Sequence, residues 1–552
     1  MERSFLAFVE DSIKKNWDMD ALTDYKGATL QYKDVARKIE KLHILLYESG
    51  VKPGDKVALC GRNSSHWGVA FLAILTYGAI AVPILHEFKA DNIQHIVNHS
   101  DARLLFVGDV VWESLNEAEM PLLEGIILMT DFTLLVCRSK QLEYAREHLN
   151  EMFGKKFPRN FRKEHVSYRR DEPEELAIIN YTSGTTSFSK GVMLPYRSLW
   201  SNTQFAFEVL NLKPGSRVIS ILPMAHMYGL AFEFIYEICA GCHVYFLTRM
   251  PSPKIIFQAF TDIKPHIVIS VPLIIEKIIK KNVLPKLETL KMKILLRLPI
   301  INEKIESTVR EYMIQAFGGN FYEVIIGGAA FNQDVERLLR NLDFPYTVGY
   351  GMTECGPIIC YEDWKSYKPG TCGKAAPRME VRIDSSDPAN VVGEILTRGD
   401  NVMLGYYKNP ESTAQVLDKD GWLHTGDLGV MDKDGNITIK GRSKNMLLGP
   451  SGQNIYPEEI EEKISNLPYV SENIVIQQSD NKLTALIYPD FDEAYAQGLT
   501  DDDIARIMEE NRVAVNAELP AYSQIAHVRI YPEEFEKTPK KSIKRFLYQD
   551  VK

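Results

Sequence analysis

YTSGTTSFSKGVML, residues 181–194, is the stretch on which the reading of this chain turns. Apolar runs at 176–180 and 192–194 flank a segment of Gly, Ser and Thr, and Lys190 closes it. The pattern predicts a strand, a loop sized for a phosphate, and a second strand. A Gly/Ser/Thr loop lets backbone N–H groups and hydroxyls close round phosphate oxygens, and a lysine adds a point charge. A plain polar hairpin has the same composition. The loop also misses the Walker pattern GxxxxGK[ST], which needs glycine at Ser189 and a hydroxyl at Gly191. A P-loop nucleotide hydrolase is therefore not the expectation.

At 552 residues the chain is too long for one core, so a large domain with at least one smaller partner is expected. Hydrophobic residues make up 45% and charged residues 25%, an ordinary globular balance. A formal charge of -9 argues against nonspecific nucleic-acid binding, which needs a basic face, and leaves small molecules as partners. The seven cysteines are odd in number and scattered, as in reduced thiols of a cytoplasmic protein. Cys239 and Cys242 form a CxxC without a second pair at zinc-ribbon spacing, and a helix end leading into the strand HVYFL accounts for them. Glu2, Glu10 and Asp11 make the N-terminus unlike a signal peptide, and its apolar spacing fits an amphipathic helix. Residues 63–86 carry no Asp, Glu, Lys or Arg and are long enough to span a bilayer. Gly78 and Pro83 divide them into a buried helix at 67–77 and a strand at 79–85, so no transmembrane segment is expected.

From 26 to 107, strands alternate with helices, which predicts a parallel α/β sheet with crossovers. The basic run KKFPRNFRKEHVSYRR, 155–170, reads as a solvated connection, with contact to acidic lipid or a CoA phosphate as the alternative. A second α/β series follows the opening loop: RVISILPMAHMYG, GCHVYFL, PHIVISVP, EVIIGGAAF and FPYTVGYGMTECGP. His226 falls just past a strand end, where functional side chains gather in open α/β sheets. Beyond 369 short strands and Gly/Asp turns predominate, and Asp434-Gly435 is a hairpin signal. The expected fold is α/β. A large N-terminal domain, 1–443, holds two α/β sheet subdomains plus a small β-barrel-like subdomain at about 365–440. A small mobile α+β C-terminal domain, 444–552, follows.

Five motifs in order, SGTT with Lys190, LPMAHMYG, YGMTE, GWLHTGD and GRSK, resemble the adenylate-forming (AMP-binding) superfamily of acyl-CoA synthetases, luciferases and peptide-synthetase adenylation domains. GVKPGDKVAL and GAIAVPIL near the N-terminus are similar too, and the likeness is greatest to bacterial medium- and long-chain fatty acyl-CoA synthetases. The resemblance implies that Thr182, Ser183, Gly184, Thr185, Thr186 and Lys190 hold the β- and γ-phosphates, with Thr185 counted among the catalytic groups. It implies that His226 orients the carboxylate or gates the acyl pocket. Gly328 and Ala329 would pack against adenine, Tyr350 would stack on it, Gly351 would be part of the same nucleotide site, and Thr353 would donate to a phosphate. Glu354 would hold Mg²⁺ through an oxygen, as hard cations prefer. Asp427 would accept from the ribose hydroxyls, and Arg442 would reach ribose or phosphate. Lys444 would be the pivot of the C-terminal domain, and Gly452 would admit a pantetheine arm.

The chain departs from the family at Ser187 and Ser189, where glycine and proline are usual, and at Ser542, where the adenylation lysine is usual. Lys541, one residue away, is expected to serve, since a long ammonium side chain can recover a Cα spacing of roughly 3.8 Å. Lys540 is the alternative. The activity implied is ATP-dependent activation of a carboxylic acid as acyl-AMP, followed by transfer to CoA, with ATP, Mg²⁺ and CoA as cofactors. Met224, Met227, Tyr228, Leu230 and Phe232 around the histidine, with no charged anchor for an amino-acid ammonium, point to a medium- or long-chain fatty acid. Two further readings stay open: a ligase that loads a carrier-protein phosphopantetheine, and a catalytically weak binder of nucleotide and acyl adenylate. Peripheral membrane contact and oligomeric state are also open.

Overall fold

Strands covered on both faces need no polar alternation, and the runs KVALC, IAVPI and ARLLFV form the centre of the main sheet for that reason. The computed structural model describes residues 3–182, 189–248, 253–282, 299–449, 453–478, 482–538 and 543–549. They fall into two units. The first comprises residues up to Thr182, Ser189–Glu380 and Thr397–Leu423; the second comprises Val381–Leu396 and His424–Lys552.

In the first unit the main sheet has eight strands, in the order Gly405–Tyr406, Lys190–Pro195, Leu176–Thr182, Ile80–Ile84, Lys56–Cys60, Ala102–Val107, Gly125–Leu128, Leu134–Cys137. The five from Leu176–Thr182 to Gly125–Leu128 are parallel, and antiparallel strands close both edges. The uncharged stretch becomes the helix Ser65–Tyr77 and the strand Ile80–Ile84, as its Gly and Pro imply. The Ser64 side chain accepts from the Trp67 N–H, and Gly78, at φ 96°, ends the helix. Gly68 on this helix has no room for a side chain, since a Cβ would stand 2.7 Å from the Phe234 ring.

The second α/β series splits into two sheets. One is parallel: Val268–Ser270, Val324–Ile326, Tyr346–Val348. The other is ordered Arg217–Ser220, His243–Phe246, Asp20–Asp24, Thr29–Gln31. Here Asp20–Asp24, from near the N-terminus, lies parallel to His243–Phe246, so chain order does not reveal this sheet. Phe260, Phe317, Val324, Ile326 and Leu339 form the core over the three-stranded sheet.

A four-stranded sheet, most of whose residues belong to the second unit, is ordered Met379–Asp384, Gly393–Gly399, Leu423–Met431, Ile437–Arg442. Asp434-Gly435 joins its last two strands, as the turn signal predicts. Further on, Val470–Gln477, Leu483–Pro489 and Ile525–Ile530 form a sheet. Ile460, Ile464, Val475, Ala485, Ile504 and Met508 make a core there with the helices Pro457–Ser465 and Asp501–Glu518. The partly buried Glu461 carboxylate pairs with Arg545 and accepts the Val475 N–H at 2.6 Å. Among the described residues no helix is long and apolar enough to cross a membrane.

Candidate active site

Leu176–Thr182 and Lys190–Pro195 pair antiparallel with Thr182 opposite Lys190, so the Gly/Ser/Thr stretch connects a hairpin. Thr182 and Lys190 mark its two ends; Ser183, Gly184, Thr185 and Thr186 lie outside the described residues. The Lys190 ammonium sits 4.9 Å from the centroid of the Tyr406 ring. The Tyr406 hydroxyl in turn donates to Glu354 Oε1 at 2.9 Å. Burial and the Glu354 carboxylate push this phenol well above its ordinary pKa, so it stays protonated and keeps donating. Lys190 and Glu354 are thus joined through a tyrosine that sequence reasoning missed. Gly405–Tyr406 is a two-residue strand, too short for periodicity to register.

Glu354 is 9% exposed. Its Oε2 accepts no hydrogen bond among the described residues, which leaves one carboxylate oxygen available to a hard cation. The YGMTE segment is a short strand, Tyr350–Gly351, and a single turn of 3₁₀ helix, Thr353–Cys355. Tyr350 and Thr353 are buried. At Gly351 a Cβ would meet the Pro357 carbonyl oxygen at 2.3 Å, so only glycine fits. Buried Asn202 accepts the Ile358 N–H at 3.0 Å and donates to the Cys355 carbonyl at 3.2 Å. Asn401 donates to the Ile358 carbonyl at 2.8 Å. These two amides, also missed, hold the turn in shape.

The LPMAH segment leaves the strand Arg217–Ser220 and is fastened by side chains from three other elements. Asn63 donates to Ser220 Oγ at 2.9 Å and to the Leu222 carbonyl at 2.7 Å, and accepts the Met224 N–H at 2.9 Å. Glu233 Oε2 accepts the N–H groups of Ile221 and Leu222 at 3.0 and 2.9 Å. Asn180, two residues before Thr182 on the same strand, donates to the Ala225 carbonyl at 2.9 Å. His226 is half-buried, and its Nδ1 accepts the Tyr228 N–H at 3.3 Å, capping the turn Met227–Leu230. In the neutral ring that bond leaves the proton on Nε2. Tyr228 donates to the Ile325 carbonyl at 3.1 Å and covers Gly327, where a Cβ would lie 3.1 Å from its ring. His226 and the GGA segment are thereby linked. Gly328, at φ 87°, and Ala329 are exposed at the carboxyl end of Val324–Ile326, where an open α/β sheet places its ligands. Met224, Met227, Leu230 and Phe232 are buried.

In the second unit Asp427, 4% exposed, and Arg442 face each other across paired strands, with Nε 2.9 Å from Oδ1. Lys444 is exposed in the turn Ser443–Asn445. Gly452, Lys540, Lys541 and Ser542 lie outside the described residues. An antiparallel bridge between Lys537 and Ile543 closes that last segment. Lys537 is paired with Glu472 and Glu534, and Lys544 lies 2.5 Å from Glu536.

Through Tyr406 and Asn180, the hairpin that Lys190 ends is tied to Glu354 and to the segment bearing His226, a grouping of cation, carboxylate and imidazole of the kind a nucleotide-handling enzyme uses. The chain belongs to the AMP-binding enzyme family: the family model matches residues 9–407, and that of the AMP-binding enzyme C-terminal domain matches 445–550. Long-chain-fatty-acid–CoA ligase 5 of Rattus norvegicus is 30% identical over 467 residues, 78% of this chain and 66% of that protein. Long-chain-fatty-acid–CoA ligase 1 of Homo sapiens is 26% identical over 554 residues, 92% of this chain and 78% of that protein. Among solved structures, ATP-bound MatB from Rhodopseudomonas palustris superposes with a TM-score of 0.77 at 20% identity, covering 100% of this chain and 99% of that one. The α/β architecture expected from sequence is that of this family.

Proposed function

We propose that this chain is an AMP-forming acid–CoA ligase acting on medium- or long-chain fatty acids. The observation that carries the reading is that one strand, Leu176–Thr182, is joined to both candidate groups of residues. Its end opens the phosphate hairpin, and its Asn180 anchors the segment bearing His226. A carboxylate attacks the α-phosphorus and pyrophosphate leaves; the CoA thiol then attacks the acyl carbonyl and AMP leaves. Phosphoryl transfer of this kind rests on positioning and charge neutralisation. Lys190 and the hairpin meet the β- and γ-phosphates, His226 orients the acid, and the Asp427–Arg442 pair takes the ribose. Mg²⁺ would be held through Glu354 and would neutralise phosphate charge. Lys537 and Lys544 are engaged by carboxylates, which favours Lys541, or Lys540, as the ammonium facing the α-phosphate.

The fatty-acid assignment is supported by the names of the relatives and by the apolar neighbours of His226. CoA-dependent AMP release across fatty acids of graded length and a few aryl acids tests it, and an optimum on aryl acids overturns it. Activity with a holo-carrier protein but not CoA favours the carrier-loading reading. Absence of acid-dependent ATP–pyrophosphate exchange, with ATP still bound, makes the chain a binder. The domain border at 443/444 and rotation about Lys444 belong to the same proposal, since hinge residues absorb torsion changes between half-reactions. Lys444→Pro is expected to spare pyrophosphate exchange and suppress thioester formation; equal loss of both removes the hinge.

A further inference from the structure

The hairpin that Lys190 ends has a second face, and one histidine holds it. In an antiparallel pair, residues directly opposite share a face and their chain neighbours take the other. Thr182, Lys190 and Tyr406 therefore lie on the face toward Glu354, whereas Tyr181 and Gly191 lie behind them. Gly191 makes room for the tyrosine. A Cβ there would stand 3.0 Å from Tyr181 Cζ, so the ring lies across both strands. The Tyr407 N–H donates to the Gly191 carbonyl at 2.7 Å, which ties the edge strand to the same point.

This back face rests on the end of the helix Ala90–His99. His99 Nδ1 lies 2.7 Å from the Tyr181 hydroxyl, on a tyrosine only 2% exposed. The imidazole also meets the rings of Tyr181 and Tyr407 edge to face, with centroids 5.8 and 5.9 Å away. The His99 carbonyl accepts from Lys408 Nζ at 3.0 Å, and Lys408 reaches Asp101 at 2.8 Å. Asp101 takes the Tyr407 hydroxyl at 2.8 Å as well. Both Asp101 and Lys408 have left-handed backbone, at φ 57° and 53°, which a non-glycine residue keeps only where its surroundings impose it. Burial lowers the His99 pKa, His95 and Lys408 add to the effect and Asp101 opposes it; burial raises that of Tyr181. A neutral imidazole thus accepts the Tyr181 O–H at Nδ1 and keeps its own proton on Nε2.

We infer that His99 is a positioning residue of the ligase: through Tyr181 and Tyr407 it fixes the hairpin from behind, and so sets where Lys190 meets the phosphates of ATP. This role rests on Lys190 and its hairpin being the phosphate clamp. A histidine that served stability alone would leave the affinities for acid and nucleotide in their normal proportion. A positioning one shifts the nucleotide.

The test is the Kd of the full chain for MgATP by titration calorimetry, which needs no turnover, beside the KM values for MgATP and for the acid in pyrophosphate exchange. His99→Leu removes the acceptor and should raise Kd and KM for MgATP about fivefold to tenfold, the weight of one hydrogen bond at a buried hydroxyl. The KM for the acid should stay within about twofold. His99→Asn places an oxygen near the position of Nδ1 and should recover most of the loss. Tyr181→Phe deletes the other end of the bond, keeps the ring, and carries the test if His99→Leu fails to fold. Combined, the two losses should fall short of additivity, because they remove one interaction. Lys190→Ala distinguishes the clamp from its support. If it binds MgATP as wild type does, the hairpin is not the clamp and the role of His99 falls with it. If Lys190→Ala weakens MgATP while folded His99→Leu and Tyr181→Phe do not, the role of His99 alone is overturned. Equal rises in both KM values, or no recovery in His99→Asn, would also overturn it.

Discussion

Tyr406→Phe isolates a single hydroxyl. The ring that Lys190 faces at 4.9 Å survives the change, and so does its packing at 7% exposure. What disappears is the donor to Glu354 Oε1. A hydrogen bond to a charged group is worth about 1.5–3 kcal/mol. Glu354 keeps some exposure, so water can replace part of the loss and the low end applies. About 1.5 kcal/mol corresponds to about a tenfold fall in kcat/KM for MgATP, read as acid-dependent ATP–pyrophosphate exchange. Tyr406→Leu also removes the cation–π contact and should cost about a further 0.5–2 kcal/mol.

A double-mutant cycle with Glu354→Gln tests the route as well as the size. If Tyr406 acts by holding Glu354, its hydroxyl matters less once the carboxylate is gone, and the two losses fail to add. Tyr406→Phe within twofold of wild type would refute the reasoning. So would full additivity in the cycle, even with a tenfold single effect.

Asn63→Ala removes three hydrogen bonds to the LPMAH segment and should cost about 3 kcal/mol in urea unfolding, with KM for the acid rising more than KM for ATP; equal rises would make Asn63 merely structural. Gly351→Ala sets a Cβ 2.3 Å from the Pro357 carbonyl, so pyrophosphate exchange should be largely lost together with a lowered Tm. Burial raises the Glu237 carboxyl from 4.5 to about 8. Between those values the folded state holds a proton that the unfolded state has released, so this group's contribution to stability falls as pH rises, by up to about 1.4 kcal/mol per unit. Glu237→Gln should therefore flatten the decline measured by urea unfolding at about pH 5.5 and 7.5; an unchanged slope would contradict the assignment.

The parallel sheet was legible because residue type carries it: buried strands such as IAVPI read as unbroken apolar runs, and Gly78 marks the turn before that strand, as Asp434-Gly435 marks the hairpin of the antiparallel four-stranded sheet. The sheet that joins Asp20–Asp24 to His243–Phe246 was not, since nothing local in either strand names a partner more than two hundred residues away. Within the site, Glu354, His226 and Lys190 stood out by chemistry and motif order. Tyr406, Asn180, Asn63 and Asn202 did not. Each acts on backbone or side-chain atoms distant in sequence, and a single Asn or Tyr has no pattern until the chain has folded.

Strand geometry explains why neighbouring residues here take opposite tasks. Successive side chains point to opposite faces, so Asn180 and Thr182 share one face of their strand and Tyr181 takes the other. Asn180 reaches the carbonyl before His226, whereas the Tyr181 hydroxyl lies 2.7 Å from His99 Nδ1, on the side of the scaffold. The adjacent tyrosines repeat the division. Tyr406 serves Glu354, and Tyr407 donates to Asp101 at 2.8 Å. Pairing of Gly405 with Met193 and of Tyr406 with Val192 fixes which tyrosine faces which way. A slip of one residue would turn Tyr407 toward the glutamate and Tyr406 toward Asp101. The edge strand is only two residues long, yet its register sets the hydrogen bond to Glu354 beside the hairpin that Lys190 ends. For that reason a change confined to this edge should alter nucleotide chemistry before it alters global stability.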